Sequence, residues 1–142
     1  MIVDDTSEEY YQALCINDRI EELRVEQKVI YYHLPIDNAN IRINCGGILR
    51  LDILHRLAKF FNVSLEYLLY GGKKEPYKEI DINLKNIVKY FKENKIKHDS
   101  NSIKVTISKI KNNKSRYISP LMLFKLEKCC KHKLYDIITG EN

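Results

Sequence analysis

The feature that most constrains the fold of this sequence is a break at mid-chain with a similar apolar pattern on either side. The break combines Gly71-Gly72 with Pro76, which together end a helix and oppose its continuation. Five apolar positions on the two sides coincide at a single offset of 69 residues: Leu57 with Leu126, Phe61 with Cys130, Leu65 with Leu134, Leu68 with Ile137 and Leu69 with Ile138. Self-similarity at a near-fixed period indicates a repeated structural unit.

Further pairs occur earlier in each half at slightly smaller offsets. Ile20 corresponds to Ile87 and Val29 to Ile96 at 67 residues, and Ile41 corresponds to Ile107 at 66, as expected for copies that differ in short loops. The repeat predicts two units, residues 1–72 and 73–142. The alternative is that amphipathic helices of similar length produce the coincidence by chance.

The apolar spacing within each half is helical. It predicts helices over about 17–28 and 52–61 in the first half and about 83–94 and 120–130 in the second. Glycine and proline are scarce, at 5 and 3 residues, and 44% of the chain is hydrophobic, enough for a packed core. We therefore expect an all-α fold.

The two halves carry opposite net charge. Residues 1–72 contain 7 basic and 11 acidic side chains, a net charge of −4, whereas residues 73–142 contain 17 and 8, a net charge of +9. A dense positive charge attracts polyanions, and neutralised phosphates release counterions, which favours nucleic-acid binding. The alternative interpretation is a solvated, lysine-rich face with no ligand.

No motif of an enzyme or of a cofactor site occurs. The chain lacks a P-loop, H-E-x-x-H and G-x-S-x-G, its cysteines show no C-x-x-C spacing, and its four histidines are scattered. We therefore expect no enzyme, no cofactor, no metal ion and reduced cysteines. The acidic N-terminus does not resemble a secretion signal, and no apolar run approaches roughly 18 residues, so we expect a cytoplasmic protein without a membrane span.

Several segments are similar to one family of DNA-binding proteins. In the first half these are 18–24 and 57–69, and in the second half 106–110, 112–114 and 118–126. Residues 18–24 resemble the opening helix and residues 57–69 the closing helices of the lambda-repressor-like (XRE or Cro type) helix-turn-helix family. In the second half, residues 106–110 resemble the centre of the recognition helix of that family, residues 112–114 the loop after it, and residues 118–126 the helix behind it. The resemblance covers residues 16–71 and 82–139, and implies two tandem units of four to five short helices each.

The sequence departs from the family pattern before each recognition helix. The intervals from Val29 to Ile41 and from Ile96 to Ile107 are about four residues shorter than in the family. The first interval also contains Pro35, which at a helix interior costs about 3 kcal/mol. We therefore expect the scaffold helix that precedes the recognition helix to be short or irregular.

The segment around Ile107 is the predicted DNA-reading element. Ile103, Ile107 and Ile110 recur at spacings of four and three, which predicts one buried face. The side chains turned outward are then Lys104, Thr106, Ser108, Lys109 and Lys111. By the family resemblance they would read base edges in the major groove, and the loop would contact phosphates through Asn113, Lys114 and Arg116. The alternative is that this segment is only a solvated helix and loop.

These observations predict a sequence-specific, double-stranded DNA-binding transcriptional regulator of bacterial or phage type. The acidic first unit has a single basic residue, Arg42, in its corresponding segment, so we expect it to bind protein and to form a homodimer that places two basic readers about a two-fold axis. The alternative, suggested by the short scaffold stretches, is a protein-interaction adaptor with a protein partner: an antitoxin, an antirepressor or a phage-encoded inhibitor.

Overall fold

The elements of the chain are helices throughout the part that the computed structural model describes, residues 8–39, 43, 48–98, 100–112 and 118–140. The bounded elements are α1 (Glu8–Glu26), a 3₁₀ turn η1 (Tyr31–His33), α2 (Leu51–Phe61), α3 (Leu65–Tyr70), α4 (Lys85–Glu93), α5 (Asn101–Lys111), α6 (Pro120–Cys130) and α7 (Tyr135–Thr139). This confirms the predicted all-α class. None of the described helices combines the length and the apolar character needed to cross a membrane.

The chain divides into two compact units. The first comprises Met1–Lys78 with Ser119–Leu121, and the second comprises Glu79–Ile118 with Met122–Asn142. The first unit extends beyond the predicted boundary at Gly72 because the chain after it returns to the turn between α2 and α3. There the Ser64 amide donates to the Glu75 carbonyl at 2.9 Å and the Tyr77 amide donates to Asn62 Oδ1 at 3.2 Å.

The first unit is built on α1, which packs against α3, while α3 also packs against α2. Helix α1 begins nine residues before the predicted start at Asn17. Ala13, Ile16, Ile20 and Leu23 recur at spacings of three and four and are all buried, so the apolar stripe is longer than predicted. Acidic side chains in its first turn complement the positive end of the helix dipole.

In the second unit α4 packs against α5 and α7, and the packing of α4 on α7 matches that of α1 on α3. Leu84, Ile87 and Phe91 form the buried side of α4 and its N-terminal flank. Ile103 and Ile110 contribute the buried side of α5. The fully buried residues of α6, α7 and their connection include Leu123, Leu126, Leu134 and Ile138.

The first helix of each unit ends in the same way. Helix α1 ends at residue 26 and α4 at residue 93, an offset of 67. Lys28 and Lys95, at the same offset, both adopt left-handed backbone conformations with φ of 57° and 51°. The next amide, of Val29 or Ile96, donates to the carbonyl five residues back at 2.9 or 3.0 Å, which satisfies one of the exposed carbonyls of the helix end.

Helices α2 and α6 also correspond, at an offset of 69. They span residues 51–61 and 120–130, so both ends coincide. Asn62 and Lys131 follow them in the left-handed region, with φ of 58° and 57°. The next amide, of Val63 or His132, donates to the carbonyl five residues back at 3.0 or 3.2 Å.

A hydrogen bond from the first helix to the closing helix occurs in both units. Arg19 Nη1 donates to the Leu68 carbonyl at 2.8 Å, and Asn86 Nδ2 donates to the Ile137 carbonyl at 2.9 Å. The two donor residues are 67 positions apart and the two acceptor residues are 69 positions apart, the same offsets that relate the helix ends. These recurring contacts support the predicted repeat of one structural unit.

Candidate nucleic-acid interface

Helix α5 is the element on which the predicted reading residues lie. Its N-terminus is capped by Ser100, whose Oγ accepts a hydrogen bond from the Ile103 amide at 3.4 Å. The helix contains no acidic residue, and its last turn carries Lys109 and Lys111, which complement the negative end of the helix dipole. A helix with this charge distribution presents a positive surface wherever it is exposed.

The apolar side of α5 anchors the helix in the second unit. Ile110 is 1% exposed and Ile103 is also buried, and α5 packs against α4. Ile107, which was predicted to complete the buried face, is only half-buried. Two of the three isoleucines therefore hold the helix in place, and the third lies at the margin of the buried face.

The outward side of α5 carries most of the predicted reading residues. Lys104, Ser108, Lys109 and Lys111 are exposed, whereas Thr106 is half-buried. At 100° per residue, Thr106 lies toward the margin of the buried face, which accounts for its lower exposure. The three remaining predicted residues, Asn113, Lys114 and Arg116, lie outside the described residues.

The centre of the exposed face is formed by residues that the sequence analysis did not select. Asn101 and Val105 lie opposite the buried isoleucines, and both are exposed, Val105 by 50%. Val105 was overlooked because an apolar residue in an amphipathic helix is usually assigned to the core. Its position on the helical wheel, 200° from Ile103, was the available signal. An exposed valine between polar side chains can contact a thymine methyl group.

The lysines of α5 are not neutralised by ion pairs within the part of the chain that the structure describes. Ion pairs there include Glu21 with Arg24, Asp52 with Arg50, Glu75 with Lys73 and Glu26 with Lys74. None of these four pairs involves a lysine of α5. Lys104, Lys109 and Lys111 are exposed, and their side chains can meet an anionic ligand.

The connection before α5 contains no helix in its described residues, which are 94–98 and 100. The ring of His98 lies 5.9 Å from that of Phe91, so the connection packs on α4. In the first unit, η1 is a single 3₁₀ turn at Tyr31–His33. Helix α4 is thus the α-helix that directly precedes α5, and no separate scaffold helix is described between them.

The predicted counterpart of α5 in the first unit, residues 38–44, lies largely outside the described residues. The chain before it forms an open groove of about 890 Å³ whose lining includes Tyr31, Tyr32, Pro35 and Arg56. Tyr32 is 90% exposed. The lining of this groove combines the aromatic side chains of Tyr31 and Tyr32 with a single basic side chain, Arg56.

The titratable group with the clearest structural role lies in the first unit. The Arg24 guanidinium and the Tyr31 hydroxyl, the latter at 2.7 Å, donate hydrogen bonds to the Glu21 carboxylate and lower its pKa. The Arg24 guanidinium also stacks on the Tyr31 ring at 4.0 Å. These contacts join η1 to α1.

No candidate metal centre occurs among the described residues, since no three histidine, cysteine, aspartate or glutamate side chains cluster there. Cys15, Cys129 and Cys130 are not in disulfide bonds. Comparison of the chain with protein-family models, with curated proteins and with solved structures finds no match.

Proposed function

We propose that the protein is a sequence-specific, double-stranded DNA-binding transcriptional regulator of bacterial or phage type that works in the cytoplasm. The observation that carries this proposal is the two-sided character of α5. Ile103 and Ile110 hold one side in the core, while the other side is exposed and basic. The major groove of duplex DNA admits one α-helix, and its base edges are read by polar and basic side chains.

Most of the exposed residues of α5 have a role in this proposal. Asn101, Val105 and Ser108 lie along the centre of the exposed face and would meet base edges. Lys104 and Lys109 lie on opposite flanks of that face and would meet guanines or the phosphates of either strand. Beyond Lys111, the loop residues Asn113, Lys114 and Arg116 would add phosphate contacts, as the XRE-type resemblance implies.

The first unit is proposed to bind protein and to form the homodimer. It carries most of the large apolar side chains that are exposed among the described residues: Tyr11, Val25, Ile30, Tyr32 and Phe60. Aromatic residues are enriched in protein interfaces and this half is acidic, which opposes DNA binding. A homodimer would present two copies of α5 to the half-sites of a palindrome.

The decisive experiment is selection of bound duplexes from a random library, followed by fluorescence anisotropy titrations at several salt concentrations. The test variant carries Lys104→Gln, Lys109→Gln and Lys111→Gln. If each lysine neutralises one phosphate, the slope of log K against log salt concentration is smaller in magnitude by about 2.7 in the variant than in the wild type. A fourfold rise in salt concentration then weakens binding of the wild type roughly 40-fold more than binding of the variant.

The matched control carries Lys59→Gln, Lys73→Gln and Lys78→Gln, which remove the same charge from exposed positions of the first unit. We expect this control to keep the wild-type slope to within about one unit. The proposal is refuted if the wild type binds no duplex at low salt, or if both triple variants reduce the slope equally.

The second candidate is the protein-interaction adaptor. The observation that favours it is the connection before α5, where the described residues form no scaffold helix. An adaptor would recover a stoichiometric protein partner in a pull-down and show no preference among duplex sequences. A regulator would enrich one duplex motif in the selection, so the same library distinguishes the two functions.

A further inference from the structure

A stripe of lysines follows the outer side of α4. Lys85, Lys89 and Lys92 are spaced by four and three residues, and all three are exposed. They therefore lie within a narrow arc on the side opposite Ile87 and Phe91, which are buried. The stripe extends about 10 Å along the helix, an axial length over which duplex DNA carries roughly six phosphate charges.

The positive charge continues beyond the end of α4. Lys95 and Lys97, in the connection to α5, are also exposed. The only acidic residue of α4 is Glu93, in its last turn. None of the four ion pairs given above for the described part of the chain involves a lysine of the stripe.

The first unit shows that the fold does not require lysines at these positions. At the offset of 67 that relates the ends of α1 and α4, Lys85, Lys89 and Lys92 correspond to Asp18, Glu22 and Val25. All three of these α1 residues are exposed as well. The corresponding outward face of α1 thus carries acidic and apolar side chains, so the fold does not require lysines at these positions of α4.

We infer that the lysine stripe of α4 (Lys85, Lys89 and Lys92) is a second DNA contact surface, which binds the phosphate backbone without reading sequence. This inference rests on the proposed function of α5. In a two-helix reader the helix before the recognition helix crosses the DNA backbone. Helix α4 precedes α5 directly and packs against it, so α4 takes the place of the missing scaffold helix.

The test compares two triple variants in the anisotropy titrations. The stripe variant carries Lys85→Gln, Lys89→Gln and Lys92→Gln, and the second is the α5 variant described above. The stripe variant should reduce the salt slope by about 2.7 on every duplex, because three phosphate contacts are lost. It should leave the ranking of duplex sequences unchanged, whereas the α5 variant should alter that ranking.

A charge-exchange variant tests the same surface with residues that the fold accepts. Lys85→Asp, Lys89→Glu and Lys92→Val install the first-unit side chains on α4, and thermal unfolding followed by circular dichroism monitors folding. We expect a greater loss of affinity than in the glutamine variant, because the carboxylates repel phosphates. The control for net charge carries Lys59→Asp, Lys73→Glu and Lys78→Val, which makes the same change of charge at exposed positions of the first unit.

The outcomes separate the two proposals. If the wild type selects a duplex and the stripe variant keeps the wild-type salt slope, the inference about α4 is overturned and the function of α5 stands. If the stripe variant loses only self-association or a protein partner, the stripe is a protein interface and the inference is likewise overturned. If the wild type binds no duplex, both proposals fail together.

Discussion

Truncation of Ile110 should strongly destabilise the second unit, while truncation of Val105 on the same helix should have almost no effect. Ile110 is 1% exposed, and replacing a buried isoleucine by alanine costs about 2–5 kcal/mol. The second unit has roughly 60 residues, for which typical stability is about 3–9 kcal/mol. Ile110→Ala therefore removes a large part of it.

Val105 provides the matched comparison because it is 50% exposed and lies five residues earlier in α5. Val105→Ala loses little buried area and gains helix propensity, so the expected change is within about 0.5 kcal/mol. Ile110→Val, which removes one methylene group, should give an intermediate loss of about 0.5–1.5 kcal/mol.

The assay is urea unfolding followed by circular dichroism, combined with native-state hydrogen exchange of the α5 amides. The exchange measurement assigns the loss to the second unit, since the amides of α1 and α2 should keep their protection in Ile110→Ala. Equal urea midpoints for Ile110→Ala and Val105→Ala would show that the isoleucine side of α5 is not anchored in a core. That result would remove the basis of the proposed reading face.

Three further predictions concern the first unit. Arg19→Met removes the guanidinium that donates to the Leu68 carbonyl and should lower the free energy of unfolding by about 1.5 kcal/mol; an unchanged urea midpoint would contradict this role. Asn62→Ala places an alanine, whose Cβ disfavours left-handed backbone, at φ of 58° and removes the side-chain acceptor of the Tyr77 amide. We therefore expect the free energy of unfolding to fall by about 1–2 kcal/mol in thermal unfolding, and to fall less in Asn62→Gly. Glu21→Gln should cost less than about 1 kcal/mol at pH 7, because the pair with Arg24 is partly exposed. The pKa of Glu21 is lowered in the folded protein, so this contribution is present above the ordinary glutamate pKa and is lost as pH falls through the lowered one. A difference between wild type and Glu21→Gln that persists at the lowest pH of an unfolding series would contradict the assignment.

The helices with strong local signals were predicted closely. Helix α6 was predicted over 120–130 and occupies Pro120–Cys130, because a proline at the first helical position and regular apolar spacing mark its limits. Helix α2 begins one residue before its predicted start. The start of α1 was missed by nine residues, since the small side chain of Ala13 weakens the apolar stripe as a sequence signal although it is buried against the core.

The exposed face of α5 was predicted in outline but not in detail. Alternation of isoleucine and lysine indicates which side of α5 is buried, because the helical period is fixed by backbone geometry. It does not indicate how deep each side chain lies. Ile107 and Thr106 are half-buried and Val105 is exposed because neighbouring helices cover one sector of α5 and leave these positions at its margin or outside it.

The amino-acid sequence by itself determined the all-α class, the mid-chain break, the opposite charges of the two halves and the apolar positions that recur at an offset of 69 residues. These are properties of short segments, in which backbone hydrogen bonding and side-chain spacing act within a few residues. Only the tertiary structure decided that Arg19 and Asn86 make the same bond to the closing helix of their units, and that α4 precedes α5 without a helix between them. Such features depend on contacts between residues some fifty positions apart, whose geometry is set by packing rather than by local pattern.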